Sequence, residues 1–280
     1  MAMTRRPDRY LGAGTPVRAD VHDENSVAAA SAGCDTAYYL VHSLGERDFE
    51  SRDAEAARTF ARAAADAGLR RIIYLGGLGD DADKLSTHLR SRREVEAILG
   101  STGVPVTTLR AGIIVGHGGI SWEMTRQLVE HLPLMVTPRW VRTRTQPIAV
   151  LDVIRYLIGV LDAPLATARS FDIGGPEILQ YVDMLRRVAA IEGRHMFVVP
   201  VPLLTPRLSS RCLSLVTDVD APTGRSLIDS MSNEVIVRDD SIRRLVPFEP
   251  IDYDQAVLNA LGERARARRS SARTASSVSA

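Results

Sequence analysis
The sequence has little of what marks several large classes of protein. It holds 2 cysteines in 280 residues. Cys34 and Cys212 carry no metal or redox spacing. Buried free thiols in a reducing compartment are the simpler reading, and a structural disulfide the alternative. His22, His117, His131 and His195 show no metal spacing either, so no metal is expected. Aromatic residues make up 5% of the chain, too few to suggest a flavin or haem box. Net charge is missing too. The 35 basic residues meet 34 acidic ones, which leaves no field to attract nucleic acid or acidic lipid. No apolar run reaches the roughly 18 residues that span a bilayer. Ile148–Leu161 comes nearest, but Asp152 and Arg155 interrupt it. The first residues lack an apolar signal core. The expectation is a cytoplasmic protein, monomer or homodimer, with a small-molecule substrate, no nucleic-acid partner and no membrane span.

What is present is an alternation of short apolar runs and amphipathic stretches. Arg71–Leu75 is β-rich and stops at Gly76-Gly77-Leu78-Gly79, as a strand buried in a parallel sheet does. A helical pattern follows through Leu85, Leu89, Val95, Ile98 and Leu99, with Gly100 and Gly103 as stops. Val104–Val115 is a second buried-strand run. Together they read as a right-handed βαβ crossover. Upstream, Met1–Thr4, Val17–Val21 and Asp35–Val41 read as strands, His22–Ser31 and Ser51–Ala67 as helices. The class is α/β with a parallel sheet.

Beyond Gly119 the texture changes. Helices are expected at Trp122–His131, from Asp152, at Tyr181–Glu192 and at Leu208–Val216, with a strand at Arg169–Ile173. Pro200–Val216 is apolar enough to line a substrate pocket or to pack a core. Arg139, Arg142 and Arg144 surround Trp140 as a basic patch for an anion or for solvent. The domain reading is 1–146 as a dinucleotide-binding half, 147–262 as a smaller mixed substrate-side region interleaved with it, and 263–280 as a disordered tail.

Several of these segments, in this order and spacing, carry a resemblance. They are Asp20-Val21, Ala37–Ser43, Arg71–Gly79, Leu109–Gly116, Pro147–Val153 and Phe171–Pro176. Over about residues 1–262 the chain resembles the atypical short-chain dehydrogenase/reductases, of the NmrA-like and nucleotide-sugar-epimerase-related kind. The resemblance implies a Rossmann-like, doubly wound parallel sheet binding a nicotinamide dinucleotide at the carboxyl ends of its strands. It puts the adenine-side acidic position on Asp20, with Val21 beside it. Ribose and nicotinamide neighbours fall on Leu40, Val41 and His42, and a strand-end turn on Gly76 and Gly77. A basic pair falls on Arg5 and Arg6. Arginine there favours NADP(H) over NAD(H), because it can pair with a 2′-phosphate. Arg110, at a strand's end, would shape the nicotinamide pocket or form an ion pair.

Two departures accompany the resemblance. The family opens on a strand and a Gly-rich turn that meets the pyrophosphate, and no such element precedes Arg5. Gly12-Ala13-Gly14 leads into Thr15-Pro16, not into a helix. The missing strand is central in the family's order, so Met1–Thr4 and Val17–Val21 are expected to lose their bridge to Asp35–Val41. The second departure concerns chemistry. Where the family carries Tyr-x-x-x-Lys, this chain has His88-Leu89-Arg90-Ser91-Arg92. His88 is then the candidate proton donor and Arg92 a candidate ribose contact. Two functions stay open. One is an oxidoreductase passing hydride to a small carbonyl or quinone-like substrate. The other is a non-catalytic NADP(H)-binding regulator or complex-stabilising subunit.

Overall fold
The computed structural model describes residues 1–46, 48–137, 139–200, 217–218 and 220–278. The expected helix at Leu208–Val216, the segment 201–216 and Cys212 lie outside them. The chain opens with β1 (Ala2–Thr4), β2 (Pro16–Arg18), α1 (Glu24–Ser31) and β3 (Thr36–Tyr39). Then come α2 (Phe49–Asp66), β4 (Arg71–Gly77), α3 (Thr87–Leu99), β5 (Val106–Ala111) and β6 (Ile114–Val115). Helix starts follow capping chemistry. The Asp23 carboxylate accepts from the Asn25 and Ser26 N–H groups, and the Ser86 hydroxyl accepts from Leu89 N–H.

Strands β3, β4, β5 and β10 (Ser170–Ile173) form one parallel sheet in the order β10-β5-β4-β3. Alternation along β4 sends side chains to both faces. Ile72 and Tyr74 join Val27, Ala57, Phe60, Ala64, Val95 and Leu99 under α1, α2 and α3. Ile73 joins Val153, Tyr156 and Val160 under α5 (Val150–Leu161) on the other face. The β4-α3-β5 crossover is as the spacing predicts, because β4 and β5 are direct parallel neighbours. β1 and β2 pair only with each other, as a separate 2-stranded sheet. The expected loss of their bridge to β3 is therefore what the structure holds.

The remaining elements build a second core. These are α4 (Ile120–His131), β7 (Leu134–Thr137), β8 (Arg144–Thr145), β9 (Ile148–Ala149), β11 (Leu179–Gln180), α6 (Tyr181–Ile191) and β12 (Phe197–Pro200). Helices α7 (Ala221–Ser230), α8 (Ile242–Leu245) and α9 (Tyr253–Val278) complete them. Trp122, Met124, Leu185, Val188 and Val257 are packed together at its centre.

Three local expectations change. Gly76 and Gly77 are strand residues, paired with Arg110 and Ala111, rather than a turn. A Cβ on Gly77 would lie 2.9 Å from Leu89 Cδ2, so the glycine lets α3 lie close on the sheet. Val104–Val115 is not one strand. It breaks after Ala111, and β6 leaves to pair with β9. Residues 263–278, expected to be a disordered tail, continue α9. Alanine and arginine are strong helix formers, and the helix starts from the buried anchors Tyr253, Ala256, Val257 and Ala260.

Gly175 offers a test of the joint between the two cores. Its N–H donates to the Pro147 carbonyl at 3.0 Å, and a Cβ there would stand 2.3 Å from that same oxygen. Gly175→Ala is expected to cost about 1–3 kcal/mol by overpacking, read as a lower urea midpoint with an unchanged slope.

Candidate functional site
A cleft of about 780 Å³ opens between β1 and β3. Its walls follow from the broken sheet. Met1–Arg5 forms one side, Thr36–Ser43 the other, and Ala19–His22 closes one end. The carboxyl ends of β2 and β3 thus open onto one crevice, where open α/β sheets bind ligands. Arg5, Asp20, Val21, Leu40, Val41 and His42 all line it. The Asp20 carboxylate accepts from His22 N–H at 3.1 Å. Arg5 and Arg6 are both exposed, but only Arg5 lines the cleft. Cys34, a free and half-buried thiol, lines it as well.

Behind His42 lies a charged pair that sequence reasoning missed. The Arg92 guanidinium donates to the Asp53 carboxylate, with 8% and 3% of the two side chains exposed. Asp53 also accepts from Ser43 N–H at 2.7 Å, and Arg92 reaches the Val41 carbonyl at 3.5 Å. Arg92 is therefore committed to the protein, and it supports the strand end that lines the cleft. A signal for the pair was present. Asp53 sits in register with Ala57, Phe60 and Ala64 on the packed face of α2, and a lone charge on an apolar stripe needs a buried partner.

His88 is half-buried, and its Nδ1 is enclosed without a hydrogen-bond partner. Its ring lies 6.4 Å from that of Phe49. Burial, then the charges of Arg92 and His42, push its pKa down to about 3. The expected titration near neutrality is thus displaced, and the side chain is neutral at pH 7. His42 stays open to the cleft. The protein around it, and then Arg92, still hold its pKa below the usual imidazole value. The single lysine, Lys84, is exposed just before α3.

Other expected site residues lie elsewhere. The Arg110 guanidinium donates to both Glu96 carboxylate oxygens, at 3.1 and 3.0 Å, and lies 3.6 Å from Asp81. It forms an ion pair, and it does not line the cleft. Gly76 and Gly77 are buried inside the sheet. Arg144 pairs with Glu234, and the side chains of Arg139 and Trp140 lie outside the described residues.

Residues 1–133 match a family model described as NAD(P)H-binding. The fold agrees over most of the chain. A Staphylococcus aureus nucleoside-diphosphate-sugar epimerase superposes with a TM-score of 0.72 at 14% identity, covering 91% of this chain and 88% of that one. An Escherichia coli NADPH-dependent quinone oxidoreductase, solved with NADPH, gives 0.70 at 17% identity, covering 87% and 82%. At these identities the likeness is one of fold, a Rossmann-like α/β architecture with a parallel sheet. Mouse NADH dehydrogenase [ubiquinone] 1 alpha subcomplex subunit 9 is 23% identical over 196 residues, 69% of this chain. The chain spans 52% of that protein's length and 21% of an uncharacterised Mycobacterium tuberculosis relative.

Two outcomes test the pair and the imidazole. Asp53→Ala leaves a buried, unpaired guanidinium and is expected to cost about 3–5 kcal/mol in urea unfolding. His88 binds its proton more weakly folded than unfolded. Stability should then rise with pH between about 3 and the unfolded value of about 6.5. The slope attributable to His88 is at most about 1.4 kcal/mol per pH unit. A His88→Leu variant should lose that slope when both proteins are melted across this pH range.

Proposed function
We propose that the chain binds NADPH in the cleft between β1 and β3 and passes hydride to a small, conjugated, quinone-like acceptor. The cofactor reading rests on the family match and on the cleft's walls. Asp20 and Val21 offer an adenine-side wall, and Leu40 and Val41 an apolar floor. Arg5 is a cation within reach of a 2′-phosphate.

One observation carries the choice of acceptor: His88, standing where the family keeps its acid, is not among the residues lining the cleft, and its Nδ1 is enclosed without a partner, while burial holds its pKa well below the usual imidazole value. When bound, the nicotinamide supplies a hydride. A simple ketone would then become a localised alkoxide and would need a positioned acid. A quinone becomes a delocalised phenolate, which water can protonate. Arg92 cannot act as the acid, because a guanidinium keeps its proton and this one is held by Asp53. The E. coli neighbour named as an NADPH-dependent quinone oxidoreductase fits this reading. A second reading, NADP(H) binding without turnover, draws on the same missing acid and on the mouse relative, which is named as a subunit of a larger enzyme.

Titration of the 280-residue chain with NADPH and NADH, followed by nicotinamide fluorescence, is the first test. Tighter NADPH binding is expected. Arg5→Glu should cost NADPH about ten- to a hundredfold in affinity and NADH far less. Quinone-dependent NADPH oxidation that survives His88→Ala supports the first reading. Binding without oxidation of NADPH by any quinone supports the second, and no binding of either dinucleotide overturns both.

A further inference from the structure
Helix α5 packs onto the sheet through Val153, Tyr156 and Val160. Its outer side is apolar as well. Leu151, Ile154, Ile158 and Leu161 are 40%, 44%, 57% and 41% exposed. A helix that covers a sheet usually turns charged and polar residues outward, and α5 turns out these four.

The four recur at intervals of three, four and three. These are the a and d positions of a heptad, the narrow seam of a coiled coil rather than a broad core face. The intervals also read the same in both directions, with Tyr156 at the midpoint. A second copy of α5 laid antiparallel on the first therefore brings Leu151 level with Leu161 of the second copy, and Ile154 level with Ile158 of the second copy. A twofold contact requires such a surface, one that is complementary to itself.

The surroundings of the stripe agree with a helix on it. Arg155 borders it, but the guanidinium donates to Asp152 at 2.9 Å and lies 5.4 Å from the centre of the Phe248 ring. No unpaired cation therefore stands in the seam. Tyr38 is 40% exposed, and its hydroxyl donates to the Leu157 carbonyl at 3.1 Å, so it extends the apolar surface beyond the helix. The patch is on the order of 400 Å² per copy, the size at which apolar patches mark interaction sites. A pair of copies then buries about 800 Å², which suits a weak and reversible contact.

We propose that α5 is a self-association face on which two copies of this chain pair, α5 antiparallel to α5, about a twofold axis level with Tyr156. The dimer forms as concentration rises. The inference goes beyond the cofactor reading and does not depend on it, because none of the four stripe residues lines the cleft.

Sedimentation velocity of the full chain, from about 1 μM to about 1 mM, tests the pairing. A monomer–dimer equilibrium is expected. Ile158→Arg should weaken it at least about tenfold, and the milder Ile158→Gln should weaken it too, with urea midpoints showing that each variant stays folded. The register is read by disulfide formation under copper phenanthroline in a Cys34→Ser, Cys212→Ser background. A mixture of Ile154→Cys and Ile158→Cys chains should cross-link faster than either chain alone. A monomer at every concentration overturns the proposal. So does a dimer that both Ile158 substitutions leave intact, or cross-linking that is fastest between identical chains. Binding of monomers to phosphatidylcholine vesicles that Ile158→Arg abolishes also overturns it, because a lipid surface would then cover the stripe.

Discussion
The ion pair between Arg92 and Asp53 ties together the parts that make the candidate site. It joins α3 to α2, and through Ser43 N–H and the Val41 carbonyl it holds the loop at the carboxyl end of β3. Tyr74, in the middle of β4, donates to the Arg92 carbonyl at 3.2 Å and so anchors the same helix from below. Two charges taken out of water repay their desolvation only when further hydrogen bonds use their remaining donors and acceptors. Here Asp53 has a second donor in Ser43, and Arg92 a second acceptor in Val41. The pair also sets the electrical character of the pocket. The Arg92 charge helps hold both His42 and His88 in their neutral forms. One contact thus fixes where the cleft floor lies and how its imidazoles titrate.

The second constraint is the incomplete sheet. β4 and β5 are covered on both faces, and most of their residues are buried, the polar Arg71, Thr107 and Thr108 among them. β3 is covered on one face only. Tyr39 packs against Phe60 with ring centroids 4.9 Å apart, while Tyr38 and Leu40 on the other face meet solvent. That asymmetry is what widens the crevice at the strand ends into a slot running along the whole of β3. The site and the unpaired edges therefore have one cause.

Much of this was legible in residue order. Short β-rich runs ending in glycine, helical periodicity that stops at glycine, and one βαβ spacing were enough for the class and for the β4-α3-β5 unit. The missing bridge could be read as well, because an absent strand leaves its neighbours recognisable. What was not legible depends on close approach. Gly76-Gly77 has the composition of a turn, yet it is strand, and Gly77 serves as a flat place for Leu89 and Arg92. Periodicity along Val104–Val115 cannot reveal a change of sheet, since both halves stay apolar. The helical tail has the composition of a solvated segment and is distinguished only by the anchored turns before it. His88 and Arg92 both fall on α3, but Arg92 is held by Asp53, a residue 39 positions away, and His88 by burial and the nearby charges of Arg92 and His42, which no local pattern records.

The electrostatics of the cleft constrain its ligands more than any single residue does. On its buried side Arg92 is cancelled by Asp53, and the imidazoles of His42 and His88 are neutral. Arg52, which also lines the cleft, is paired with Glu46, so these groups on the β3 side carry no unpaired charge. An exposed cation, Arg5, lies just past the end of β1 on the opposite side of the cleft. A ligand that follows this gradient keeps its anionic groups at the β1 side and presents an uncharged, flat end to Val41 and His42. On the proposed reading, that is the polarity of a phosphorylated dinucleotide with its reactive ring inward. It also disfavours an anionic acceptor at the inner end, because no free cation there would repay its desolvation. An uncharged conjugated ring pays no such cost, so pocket charge and the missing acid favour the same kind of acceptor.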